Sequence, residues 1–228
     1  LTTALLFWMT LVWSKNADKP HSDRLLIAIA YVLGVSIGVH ELNLLCLPCL
    51  LLIVAFTLRR NLRRMSILWI MLAAIITIAL VLYGLIPGFT YLASRMELLC
   101  VNIAGMPYNS GTIIWWILVF SLLIAAVASL NDKGSRRRML LSVILFTVAV
   151  GCSGLFFFSG NAVIGISLTL LAAAWPLKQA LECRLNVRRM RIALWSLGMV
   201  LLGFSSYASI IIRSTAMPPL NTCAPADI

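Results

Sequence analysis

The stretch "GVHELN" sets His40 and Glu41 side by side inside a run that is otherwise almost all hydrocarbon, from Leu25 to Leu58. A proton-carrying ring next to a carboxylate can bind charged or hydroxyl-bearing ligands, and ionisable groups at lipid depth are costly unless they face water or a partner. The pair therefore reads either as part of a binding site or as a hairpin tip whose polar residues are hydrated. A second group lies in the loop 87–112, where Arg95, Glu97, Asn102 and Asn109 interrupt apolar residues. A third is Arg213, just past the last apolar run. Its guanidinium can pair with Glu41, Glu97 or a phosphate, or snorkel to lipid headgroups with no specific partner.

The elements that hold these residues are membrane helices. Of the 228 residues, 62% are hydrophobic and 11% charged, with a mean hydropathy of +1.02, whereas soluble domains carry about 25% charged residues. Eight apolar segments follow one another at 1–13, 25–39, 42–58, 65–86, 113–130, 139–158, 162–177 and 192–212. Several reach or approach the ~20 residues that cross a bilayer core. The expected fold is all-α: one polytopic transmembrane bundle over 1–228, with no room for a soluble domain.

The net charge of +11 does not point to nucleic acid, because the basic residues lie in short clusters between apolar runs. With 25–58 as a hairpin turning at His40-Glu41, loops 14–24, 59–64, 131–138 and 178–191 share one side and hold sixteen of the eighteen Lys and Arg. That side is expected to be cytoplasmic, leaving Arg95 and Arg213 on the outer face. A single helix over 25–58 would be about 51 Å long, too long for a core of about 30 Å, and would split the charges less sharply. Arms of 15 to 17 residues are expected to fall short of a full span, which sinks the turn slightly and puts the His-Glu pair at the mouth of an outer recess.

In loop 87–112, Phe89, Leu92, Ala93, Met96, Leu99, Cys100 and Ile103 recur at helical spacing after Pro87-Gly88, which suggests an interfacial helix on the outer leaflet. "GMPYNSG" then turns the chain, with Gly and Asn available for unusual backbone angles. The tail after Arg213 is expected to run extended because of Pro218, Pro219 and Pro225. The six cysteines read as ordinary buried thiols, since "CLPC" at 46–49 sits at lipid depth and no Cys/His set suits zinc. No metal ligand set is expected. The chain opens on an apolar run without a basic n-region or cleavage site, so it is expected to be a piece of a longer protein rather than to start with a signal peptide.

Four stretches, "ADKPHSDRLLIAIAYVLGVSIGVHELNLLCLP", "YGLIPGF", "ELLCVNIAGMPYNSG" and "SSYASIIIRSTAMPPLNTCAPAD", together resemble a bacterial membrane family related to protein O-mannosyltransferases, which includes an animal transmembrane O-mannosyltransferase. Glu41 departs from the apolar residue the family tends to have after the hairpin His, and Pro225-Ala226-Asp227 from its Pro-Glu-Asp. The resemblance implies a C-type glycosyltransferase fold that passes sugar, mannose in the named relatives, from a polyprenyl-phosphate donor to a protein acceptor on the outer face. It implies an acidic base in a first outer loop that has no counterpart here, so no catalytic residue is assigned and a missing N-terminal part of the same chain is an expected partner. It places the protein in the bacterial inner membrane with its site on the periplasmic side. In that reading His40 and Arg213 stabilise the departing phosphate, while Glu41, Glu97, Asn102 and Asn109 bind sugar hydroxyls or fix the cations. Two other classes stay open: a transporter or flippase for a lipid-linked or small polar substrate, against which no internal repeat is found, and a structural membrane subunit.

Overall fold

A computed structural model of the chain describes residues 1–19, 21–58, 64–130 and 135–207. Among these there are nine α-helices and no strand: α1 (Thr2–Lys15), α2 (Ser22–Val39), α3 (Leu47–Leu58), α4 (Arg64–Leu80), α5 (Ile86–Asn102), α6 (Ser110–Ser129), α7 (Arg136–Cys152), α8 (Ala162–Leu181) and α9 (Val187–Phe204). Short 3-10 turns follow α2, α7 and α9. Five described stretches are long and apolar enough to cross a membrane: Ser22–Val39, Glu41–Leu58, Ser66–Asn102, Ser110–Ser129 and Ala162–Leu181. The protein is an all-helical membrane protein, as its composition requires. α1 and α7, at 14 and 17 residues, are shorter than these spans.

The chain divides into two compact units, Leu1–Ala74 with Ser196–Ile228, and Ile75–Trp195. In the first, α2 ends where His40 turns extended, at φ −157° and ψ 109°. A 3-10 turn over Glu41–Cys46 then leads into α3. Pro48 fits there because a proline in the first helical turn forfeits no intrahelical bond. Thr2 meets Ser36 and Thr3 meets Asn43 at one end of α1, while Ser14 meets Thr57 at the other. Thus α2 runs against α1 and α3 runs with it, so the chain reverses at His40-Glu41 as a hairpin. Leu6, Cys46 and Leu50 form its core with Phe7, Ile29, Val32 and Leu33. Gly34 and Gly203 let α2 and the end of α9 touch backbone to backbone, since a Cβ on either would strike a carbonyl of the other helix.

The short-arm expectation is overturned. Ser22–Val39 and Glu41–Leu58 each run 18 residues, about 27 Å or more because a 3-10 turn rises faster per residue. Helix extends back into Ser22-Asp23-Arg24, where Asp23 in the first turn suits the positive end of the helix dipole. A recess built from short arms loses its basis.

In the second unit, α5, α6, α7 and α8 pack as successive neighbours, joined near Cys152 by the loop 153–161. The expected break at Pro87-Gly88 is not one: a π-turn over Val81–Leu85 carries the helix from α4 straight into α5, with Pro87 in its first turn. Only residues 103–109 of the expected loop are non-helical. Gly154, at φ +128°, sits against Leu85 and Phe89, and Ser159 N–H donates to the Tyr83 carbonyl at 2.8 Å, so the loop between α7 and α8 clamps the π-turn. α8 starts on an Asn161 cap whose Oδ1 accepts the Val163 and Ile164 amides at 2.9 and 3.3 Å. The short link 182–186 turns α8 into α9, which begins at Val187.

Candidate functional site

The hairpin tip is built from α1, α2 and the 3-10 turn. Asn43 ties them: its Nδ2 donates to Thr2 Oγ1 at 3.3 Å and to the Ser36 carbonyl at 3.1 Å, its Oδ1 accepts from Thr3 Oγ1 at 3.2 Å, and its N–H donates to the His40 carbonyl at 3.0 Å. Ser36, fully buried, donates its hydroxyl to Thr2 Oγ1. This network satisfies buried polar groups and leaves His40 and Glu41 exposed. Both are exposed, and neither side chain has a hydrogen bond or ion pair among the described residues. Sequence reading passed over Asn43, three residues after His40, and over Thr2, Thr3 and Ser36, because ordinary small polar residues give no motif until the helices are in register.

In the second unit, Glu97 and Asn109 come together through the backbone of α6. Glu97 Oε1 accepts the Asn109 N–H, and its Oε2 accepts the Thr112 N–H at 2.9 Å and the Thr112 hydroxyl at 3.4 Å. Asn109 adopts φ +71° and Gly105 φ +63°, the unusual angles expected of "GMPYNSG". Gly111 lies directly on the Glu97 backbone, so α5 and the start of α6 are in van der Waals contact. Glu97 is thus a carboxylate cap on a neighbouring helix. The idea that it fixes the site's cations has no contact to support it here, since no cation pairs with it among the described residues.

Arg95 points elsewhere. Its guanidinium lies 5.0 Å over the Tyr91 ring, which stacks on Phe157 with centroids 3.7 Å apart. Arg95, Leu98, Leu99, Asn102 and Ile103 line an open depression of about 340 Å³ on one side of α5 and the residue after it. Of the apolar residues expected on one face of an interfacial helix, Leu99 and Ile103 are exposed while Phe89, Ala93 and Cys100 face inward with Gly88. Phe89 stacks toward Trp116 at 4.6 Å, and Trp116 on Phe120 at 5.5 Å. Tyr91, one helical turn before Arg95, was visible as an i, i+4 pair; Phe157 was not, being remote in sequence.

Arg213 and the proline tail lie outside the described residues, as do parts of three basic loops. Of the five described cysteines, Cys46, Cys100 and Cys152 are buried free thiols, but Cys49 and Cys183 are exposed, so "CLPC" splits across two environments. Among the described residues no three of His, Cys, Asp and Glu gather as a metal-ligand group.

A family model described as the N-terminal domain of the protein O-mannosyl-transferase TMEM260 matches residues 1–64. That stretch spans α1, α2, the hairpin tip and α3, so His40, Glu41 and Asn43 all lie within the matched region. A search of curated proteins and a search of solved structures each gave no match.

Proposed function

We propose that this chain is the membrane part of a glycosyltransferase of the O-mannosyltransferase kind, which takes sugar from a polyprenyl-phosphate donor and passes it to protein on the outer face of the bacterial inner membrane. The observation that carries the reading is the match of residues 1–64 to an O-mannosyl-transferase family over the hairpin that presents His40 and Glu41. The hairpin spends its buried polar residues on locking the turn, and leaves an imidazole and a carboxylate exposed at the tip with no side-chain partner among the described residues.

The division of labour follows from charge. His40 hydrogen-bonds the phosphate oxygen that becomes the leaving group, and Arg213 adds a fixed positive charge as negative charge develops there. Glu41 accepts from sugar hydroxyls, for which a carboxylate with two free oxygens is suited. The catalytic base is not assigned to any residue of this chain.

The experiment compares sugar transfer from a radiolabelled polyprenyl-phosphate sugar in membranes carrying the intact protein, His40→Ala or Glu41→Gln, with expression and thermal unfolding measured alongside. Loss of about tenfold or more in turnover at unchanged stability supports the tip as a binding element. Wild-type turnover in both variants removes the tip from the site.

A further inference from the structure

We infer that the end of the second unit where α7 begins, α8 ends and α9 begins binds the headgroups of anionic phospholipids in the leaflet it meets, an interaction that stands apart from the transferase reading above.

The first observation is charge out of balance. α7 and α8 pack against each other and are joined at one end by the loop 153–161, so the start of α7 and the end of α8 meet at the other. The link 182–186 adds the start of α9 to that end. Residues 135–207 carry eight Lys and Arg, every one at this end and exposed, against a single acid, Glu182. Glu182 pairs with Arg184 at 3.6 Å, while Arg136, Arg137, Arg138, Lys178 and Arg189 form no ion pair among the described residues.

The second is where three of these cations stand. Arg136, Arg137 and Arg138 fill the first turn of α7, at the positive end of its dipole, with no acid there to offset them. That placement weakens the start of the helix, and an anion brought to this end relieves it.

The third observation selects a lipid over a soluble anion. Leu171, Trp175 and Lys178 recur at i, i+4 and i+7 and so share one face of α8, where Leu171 is 74% and Trp175 69% exposed. Within about 10 Å this face passes from aliphatic to indole to ammonium. A bilayer offers the same order: hydrocarbon, then the headgroup boundary that suits Trp, then phosphate. A soluble acidic ligand would match Lys178 and leave the two residues below it unmatched, whereas a phospholipid complements all three. Each Lys or Arg near an anionic membrane surface adds to the attraction.

The test places the intact protein in nanodiscs of mixed dioleoyl phosphatidylcholine and dioleoyl phosphatidylglycerol and measures by native mass spectrometry which lipid stays bound, with water-soluble glycerol phosphate as competitor. Expected is retention of phosphatidylglycerol over phosphatidylcholine by about tenfold or more, weakened at high salt and little disturbed by glycerol phosphate. Lys178→Gln combined with Arg189→Gln should lose about tenfold of that preference; it leaves the α7 arginines in place, so the orientation they favour is kept. Lys178→Arg combined with Arg189→Lys preserves the charges and should retain it. Equal retention of the two lipids overturns the inference, and so does an unchanged preference in the Gln variant. Glycerol phosphate competing as well as the lipid overturns it in favour of a soluble anion.

Discussion

Glu97 reaches from α5 across to the first turn of α6, where its Oε2 accepts the Thr112 backbone N–H at 2.9 Å. The first amides of a helix have no partner inside it, and a carboxylate there meets both the hydrogen-bonding need and the positive end of the dipole. Here the cap comes from the preceding helix instead of the preceding residue. It therefore fixes how residues 103–109 connect α5 to α6.

Replacing Glu97 by Ala is expected to cost about 0.5–2 kcal/mol, the range for loss of a helix cap. Glu97→Gln keeps an acceptor and should lose less. Thermal unfolding in detergent reads both; an unchanged midpoint in Glu97→Ala would show that the amides are equally well served by water.

Asn43→Ala removes the side chain that joins Thr2, Thr3 and Ser36. The Ser36 carbonyl then keeps only the His40 N–H and the half-buried Thr3 hydroxyl loses its acceptor, at about 1 kcal/mol for each hydrogen bond lost. Thiol accessibility of Cys46, buried beside the hairpin tip, should rise together with a lower melting temperature. If stability falls and the tip stays as protected as before, the network stabilises the helices without positioning His40 and Glu41.

Two glycines separate backbone strain from crowding. Gly160, at φ +78°, has nothing within 4 Å of where an added methyl would stand, whereas Gly154, at φ +128°, would drive a methyl into the Leu85 carbonyl and the Phe89 amide. Gly160→Ala should cost about 1–2 kcal/mol for the left-handed conformation alone. Gly154→Ala should cost more, by lower yield and lower unfolding temperature, because the clamp on the π-turn must open. Equal effects would mean that the loop shifts freely off α5.

The basic clusters predict which end of each helix faces the cytoplasm. Within the second unit, Tyr108 precedes α6 and Arg137 opens α7, so a chain that crosses along α6 puts them on opposite sides. In a protein whose native cysteines are replaced, Tyr108→Cys should react with an impermeant thiol reagent added outside intact cells. Arg137→Cys should react only after lysis. Labelling in the reverse order would invert the topology of the second unit.

Much of the fold was legible because membrane helices announce themselves by length and apolarity, and because the polar pair His40-Glu41 interrupts the run where the chain turns. Boundaries were less so. Pro87-Gly88 reads as a break, yet the π-turn over Val81–Leu85 just before it changes the hydrogen-bond register and lets the helix continue past the proline. At the candidate site, Glu97 was visible as a charge but its use as a cap was not, since that depends on α6 lying against it. Exposure of Leu99 and Ile103 was hidden for a related reason: in a membrane protein the outward face of a helix is as apolar as the inward one, so periodicity alone does not choose between them.

The central claim is sugar transfer from a lipid carrier, and the most direct measurement is incorporation of label from polyprenyl-phosphate sugars into membrane proteins, comparing cells that carry the intact protein with cells that lack it. The account predicts labelled protein only where the intact protein is present, with label exposed on the outer face. Equal labelling in both would contradict it and leave movement of a lipid-linked substrate across the membrane as the activity to measure.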